Sequence, residues 1–320
     1  FWTHNDDRDI NLYALDTLYG KVVRQFPLTG ISNTDWEEIT QDENYIYIGD
    51  FGNNSGNRTD LKIYRIAKQN IGSGTLHFDS ICFSYPEQVD FDSESYDSDF
   101  DCEAFIVSGD SLYLFTKGWA SNTTTLYSVP KSPGTWDAKK RASLNVNGLI
   151  TGAVYFGEKR VIVLTGYSEK LKPFLYLLYD FTGTGFFDGN KRKIDLLLPY
   201  HQVEAITTTM GTRFFITNEA FSYEPLIKTP QKIHLVDLRS FLGDYLGLSV
   251  PVPDTLNNHI ISPIPANEYI LIQSLPELIP ADYFLINMSG QIVKTGELES
   301  DSSVVNLSDL SSGIYFLSRV

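Results

Sequence analysis

Cysteine and methionine are nearly absent, with two of each in 320 residues, and no run of eighteen apolar residues occurs. A cysteine pair this sparse cannot make a disulfide scaffold. Without a long apolar run, no membrane-spanning helix is expected. Basic residues are also short: 25 Lys and Arg stand against 40 Asp and Glu, a formal charge of −15. Such a chain repels phosphate backbones and anionic headgroups, so nucleic acid and membrane surfaces are excluded as partners, while cations and cationic or neutral ligands stay open. The five histidines, His4, His77, His201, His234 and His259, form no His-x-His or His-Glu-x-x-His pattern, and no Gly-x-Ser-x-Gly turn occurs. No motif therefore decides whether the protein is an enzyme.

What is abundant is aromatic: 19 Tyr and 20 Phe within a hydrophobic fraction of 42%. These residues favour pleated surfaces and supply a core. The chain opens at Phe1 inside a strand-like run and shows no signal-peptide pattern, which reads as a processed or shortened chain.

Five apolar runs end alike: FWTHND (1–6), YIYIGDFG (45–52), LYLFTKGW (112–119), VIVLTGYS (161–168) and FFITNEAF (214–221). This alignment puts Thr3, Gly49, Thr116, Thr165 and Thr217 in one column and His4, Asp50, Lys117, Gly166 and Asn218 in the next. A second element precedes four of them: DWEEI (35–39), DCEAF (101–105), TGAVY (151–155) and QVEAI (202–206). Third strand-like runs follow each and fourth ones all but the last, and the repeat spacing of roughly 45–65 residues is that of propeller blades. The expected fold is all-β: a β-propeller of about five four-stranded blades over residues 1–240, its first blade lacking the first strand and its last lacking the fourth. An irregular β-sandwich is the other arrangement open to these strands. In the propeller, Cys82 lies on an outer strand and Cys102 on the inner strand of the next blade, beyond disulfide reach, so two separate buried thiols are expected.

Residues 241–258, broken by prolines and turn formers, read as a linker, and residues 259–320 as a small β-sandwich of short alternating strands. There, SPIPANEYILIQ, YFLINMSGQIVKTGEL and VVNLSDLSSGIYFL follow in order. This segment resembles the C-terminal sorting domain (Por secretion tail) of the type IX secretion system of Bacteroidota. The resemblance implies export to the exterior or the cell surface, with the secretion machinery as a partner through residues 259–320. The first 240 residues resemble propeller regions of secreted Bacteroidota proteins, and more distantly phytase-like and esterase-like propellers.

In an antiparallel blade the start of the first strand lies beside the end of the second. Asp35, Glu37, Asp101, Glu103 and Glu204 are thereby expected near His4, Asp50, Lys117, Asn218 and Glu219 at one channel mouth. Such a ring would take a small molecule, a glycan or a protein. Glu37, Glu103 and Glu204 would be the ligands if a cation binds, and Ca²⁺ suits an all-oxygen set. Close carboxylates also raise one another's pKa, which suits a metal-assisted hydrolase of the phytase-like or esterase-like kind. The same acids serve equally as structural groups that hold neighbouring blades in register. Ala153 breaks the column in the third repeat, against a symmetric ion site. DFDSESYDSDFDCE (90–103) reads as a solvated acidic loop or a calcium loop of a type other than the EF-hand, since Ser95 stands where that loop needs Gly. GDFGNNSGNRTD (49–60) reads as a long connection at the mouth or an anion cradle. Trp119, Tyr167, Phe221 and Tyr223 are candidates to stack on sugar rings.

Overall fold

The apolar runs pair into five antiparallel sheets within the first of two units, Phe1–Leu246. The structure is a computed structural model and describes residues 1–5, 8–16, 20–72, 77–91, 96–223, 227–243, 245–246, 259–263, 266–274, 279–287 and 291–319. Sheet one is β1 (Trp2–Thr3), β2 (Asn11–Leu15) and β3 (Val22–Pro27). Sheet two is β4 (Trp36–Gln41), β5 (Tyr45–Asp50), β6 (Lys62–Ala67) and β7 (Phe78–Ser84). Sheet three is β8 (Cys102–Ser108), β9 (Ser111–Thr116), β10 (Thr123–Pro130) and β12 (Lys139–Asn145). Between its last two strands the chain detours through β11 (Gly134–Asp137), which adds to sheet two by pairing parallel with β7. Sheet four is β13 (Leu149–Phe156), β14 (Val161–Tyr167), β15 (Pro173–Tyr179) and β16 (Asn190–Asp195). Sheet five starts with β17 (Val203–Thr208) and β18 (Arg213–Asn218). A small ribbon of β19 (Phe221–Tyr223) and β20 (Ile227–Thr229) intervenes before its last strand, β21 (Lys232–Asp237). These are the blades of a propeller. Among the described residues, blade one has no strand inside β1 and blade five none outside β21.

Residue chemistry sorts the strands by depth. The second strand β14 is buried along its whole length on both faces, and β5 and β9 are buried at all but their first residue. The outer strands β12 and β16 carry KKR and NKRK, and such charges blunt an exposed edge against further pairing. The first strands pack in succession, β4 on β8, β8 on β13 and β13 on β17. Buried clusters join consecutive blades. Leu12 packs with Trp36 and Ile48 between blades one and two. Phe51 packs with Phe105 between two and three. Phe115 packs with Ile150 and Phe186 between three and four. Leu177 packs with Phe214 and Ile216 between four and five. Among the described residues no fifth cluster joins blade five to blade one, where the Phe1 and Phe215 rings meet at 4.9 Å.

Each first strand carries a β-bulge at the same place. Pairing slips by one residue between Trp36 and Ile39, Cys102 and Ala104, Ile150 and Gly152, and Val203 and Ile206. A bulge leaves one residue unpaired and turns side chains away from the regular alternation. In blades two, three and five the bulge holds a glutamate (Glu37 and Glu38, Glu103, Glu204); in blade four it holds Thr151.

The expected linker begins too early. Residues 239–242 form a short helix, α1 (Arg239–Leu242), and Leu242 and Leu246 are buried against blade five, so the segment belongs to the first unit. The remainder of the expected linker, residues 247–258, lies outside the described residues. Cys82 and Cys102 are both free thiols; Cys102 is buried, but Cys82 is only half-buried.

The second unit, Gly247–Val320, is a sandwich of two three-stranded sheets. One has β22 (His259–Ser262), β23 (Tyr269–Ser274) and β26 (Ser302–Asn306). The other has β24 (Ala281–Asn287), β25 (Ile292–Leu298) and β27 (Tyr315–Arg319). Ile270, Ile272, Leu285, Leu298 and Val305 fill the space between them. Among the described residues no helix is long and apolar enough to cross a membrane.

Candidate functional site

A cavity of about 1660 Å³ runs along the first strands of the first unit. Eight of the ten residues expected at the mouth line it: His4, Asp35, Glu37, Glu103, Lys117, Glu204, Asn218 and Glu219. Asp50 and Asp101 do not, and both are fully buried.

The second column of the sequence alignment is corrected by the strand register. Asp50 faces Trp36, Thr116 faces Cys102, Gly166 faces Ile150 and Asn218 faces Val203, so Thr116 rather than Lys117 belongs beside Asp50 and Asn218. Successive side chains on a strand point to opposite faces. The Asp50 column therefore turns into its own blade. Asp50 accepts hydrogen bonds from Asp35 N (3.1 Å) and Arg58 (3.0 Å) and pairs with Lys62 at 3.5 Å. Thr116 Oγ1 accepts from Thr125 N at 3.0 Å. Asn218 donates to Pro230 O at 3.0 Å and meets His234 Nε2 at 2.8 Å. Lys117, one residue further along, turns the other way, into the cavity.

Lys117 is the centre of the site. Its Nζ donates to Glu103 Oε1 at 2.6 Å, and both side chains are buried. The same ammonium stands 4.7 Å from the Trp119 ring centroid and 5.6 Å from that of Tyr167. Burial by itself would lower the Lys117 pKa, but Glu103, Glu204, Tyr167 and Asp101 together hold it well above the ordinary value, so it stays charged. A single cation cannot balance every acid around it. Glu37 keeps partial exposure along the cavity wall, yet enclosure, then Glu103, Asp101 and Asp35, push its carboxyl well up. Among the described residues no three His, Cys, Asp or Glu side chains are grouped to hold a metal ion. Glu103 and Glu204, two of the three acids expected to gather a cation, are those that hold Lys117 charged most strongly.

Asp101 acts from behind. Its carboxylate accepts from Trp119 Nε1 at 2.9 Å and from Asn53 N at 2.6 Å, which fixes the indole at the cavity wall. Tyr96 packs edge-on to Trp119 with centroids 4.6 Å apart. Asp35 and Glu37 crowd Gly52 so closely that a Cβ there would sit 2.4 and 2.2 Å from their oxygens. The loop that carries Gly52 is pinned through Asn53 and through Arg58, which donates to Gly52 O at 2.9 Å; it is a braced connection. In the acidic segment, Asp99 accepts from Ser121 N and Asp101 serves Trp119, while residues 92–95 lie outside the described residues. Tyr167 is buried, Trp119 and Phe221 are half-buried, and Tyr223 is exposed, so only some of the stacking candidates are open.

The sequence reading missed Glu38. Strict alternation sends Glu37 and Glu38 to opposite faces; the bulge between Trp36 and Ile39 brings both to the centre. Glu38 accepts from Ile39 N at 2.9 Å and, across the channel, from Ala153 N at 3.1 Å. Strand register puts Thr151, not Ala153, at the position of Glu103 and Glu204, so Thr151 breaks the acidic column, while the Ala153 amide meets an acid from blade two. Burial raises the Glu38 carboxyl to about 8, against the pull of those two amides. Tyr96 and Gln202 also line the cavity and carried no sequence signal.

Residues 261–319 match the secretion system C-terminal sorting domain family. The chain thus carries a type IX sorting tail and is a secreted or cell-surface protein that engages the type IX machinery through that tail. No match is found among curated proteins. Solved structures with some likeness include a protein assigned as a 6-phosphogluconolactonase from Bacteroides uniformis, at 11% identity over 91% of this chain and 78% of that one (TM-score 0.37). Another is its counterpart from Bacteroides fragilis, at 9% identity over 93% and 80% (TM-score 0.38). A third is PorZ, a surface component of the type IX secretion system of Porphyromonas gingivalis, at 11% identity over 99% of this chain and 41% of that one (TM-score 0.36). Likenesses at these TM-scores say nothing of activity.

Proposed function

We propose that Phe1–Leu246 is an exported binding module whose ligand docks at the channel mouth beside Lys117 and Trp119. The observation that carries this reading is the opening of a large cavity onto a fixed ammonium, several carboxyls and a braced aromatic face. A cavity of mixed aromatic and hydrogen-bonding character suits a polar ligand with an apolar face, such as a sugar. A glycan array with the full chain tests it. At least one glycan is expected to bind, and Trp119→Ala is expected to weaken it by about fivefold or more, since stacking on an indole is worth about 1 kcal/mol. No binding on the array, or hydrolysis of phosphate or ester substrates that Glu204→Gln abolishes, would overturn the binding reading, the latter in favour of a hydrolase.

The sorting tail gives a separate expectation. Removing residues 259–320 leaves the first unit with its own four inter-blade clusters, so it should fold but remain in the periplasm, as cell fractionation would read. Unchanged surface delivery would show that the tail is dispensable.

A further inference from the structure

We infer that His201 and His234 form an open binding site for a divalent transition-metal ion of the Zn²⁺ class on blade five. Neither histidine lines the mouth cavity, so this goes beyond the mouth site. The site is built from contacts within blade five and the segment that leads into it.

His201 stands two residues before β17, and His234 is the third residue of β21. Each ring faces an oxygen that fixes its tautomer. His201 Nδ1 lies 2.9 Å from Pro199 O, which can only accept, so Nδ1 carries the proton and Nε2 the lone pair. Asn218 Nδ2 donates to Glu219 O at 2.7 Å and to Pro230 O at 3.0 Å, which turns Oδ1 toward His234 Nε2 at 2.8 Å. An amide oxygen accepts, so His234 Nε2 carries the proton and Nδ1 the lone pair. No other hydrogen bond reaches either ring among the described residues.

A metal-bound imidazole requires this arrangement: one nitrogen donating to an oxygen that orients the ring, the other left to coordinate. The spacing agrees. The two ring centroids are 5.2 Å apart with planes at 72°. Imidazoles on one tetrahedral Zn²⁺, with Zn–N of about 2.0–2.1 Å, hold their centroids about 5 Å apart. Two imidazole donors suit Zn²⁺, Ni²⁺ or Cu²⁺ and not Ca²⁺, which takes oxygen. Both rings are half-buried, so an ion reaches them from solvent. Among the described residues no third His, Cys, Asp or Glu completes the set, which leaves the remaining positions to water. Lys232 shares a strand face with His234 and its charge is felt there, so the affinity expected is micromolar and not tighter. A bound ion would clasp the entry of β17 to β21.

The test uses the full chain, freed of metal with a chelator and titrated with zinc chloride by calorimetry. One Zn²⁺ per chain is expected to bind, unaffected by excess Ca²⁺. His201→Ala and His234→Ala should each weaken binding about tenfold or more, since even the outer partner of a ligating imidazole is worth about 10–100-fold. His77→Ala should leave it unchanged. Histidine side-chain NMR spectra of the unaltered chain give a second reading that does not depend on a variant's folding: Zn²⁺ should shift the ring signals of His201 and His234 alone. Absence of Zn²⁺ binding, binding that both alanine variants retain in full, or ring signals of the pair that stay in place overturns the site. Glycan binding at the mouth would be untouched by that result.

Discussion

Lys117→Met should destabilise the first unit by about 3–5 kcal/mol, the usual cost of removing one partner from a buried ion pair. The loss is that large because the ammonium serves several acids at once. Glu103 hydrogen-bonds it directly, and Glu204 and Asp101 add their fields. Without it, Glu103 and Asp101 face one another in a dry interior with no compensating charge. Urea unfolding followed by tryptophan fluorescence measures the effect. Adding Glu103→Gln to Lys117→Met should recover about 1–2 kcal/mol, because a neutral amide no longer demands a cation. A single variant as stable as the parent, or a double variant less stable than the single, would mean that the ammonium does not hold this cluster together.

Glu38 should make stability fall with rising pH. Its carboxyl titrates near 8 in the fold and near 4.5 ordinarily, so between those values the folded chain keeps a proton that the unfolded chain has released. The contribution is fully present below about pH 4.5 and is lost as pH rises through 8, with an upper bound of about 5 kcal/mol. Glu37, raised in the same sense, adds to the slope. Glu38→Gln replaces the neutral carboxyl with a neutral amide. At pH 5 it should cost about 1 kcal/mol, since the amide oxygen cannot serve Ile39 N and Ala153 N equally well. At pH 8.5 the variant should be the more stable protein. Unfolding curves at the two pH values that fail to cross would place the titrating group elsewhere.

Much of this was legible in the sequence because repetition exposes it. The Asp-x-Glu starts of two first strands, the Gln-x-Glu start of a third and the second strands that follow them all read directly from aligned runs. The register did not. Thr116-Lys117 imitates Thr217-Asn218 in type, but strand pairing matches Thr116 with Asn218, and one residue of slip reverses which face a side chain takes. The bulges have no residue signature of their own, so Glu38 was hidden behind Glu37 although it is the acid that crosses the channel. The helix at Arg239–Leu242 is a single turn, too short for a periodic pattern, and only the burial of Leu242 and Leu246 ties it to blade five. In the tail the order of three motifs sufficed, because the strands of a small sandwich alternate cleanly.

The detour of β11 onto β7 has a consequence for how the molecule comes apart. Blade three cannot peel from blade two without breaking a parallel ladder of four residue pairs, Gly134 to Asp137 against Ile81 to Ser84. Among the described residues no such stitch, and no buried cluster, joins blade five to blade one. A circular array with one seam behaves energetically as a linear one with two free ends, and local opening starts where neighbours are fewest. Amide hydrogens of blades two and three should therefore exchange last and those flanking the seam first.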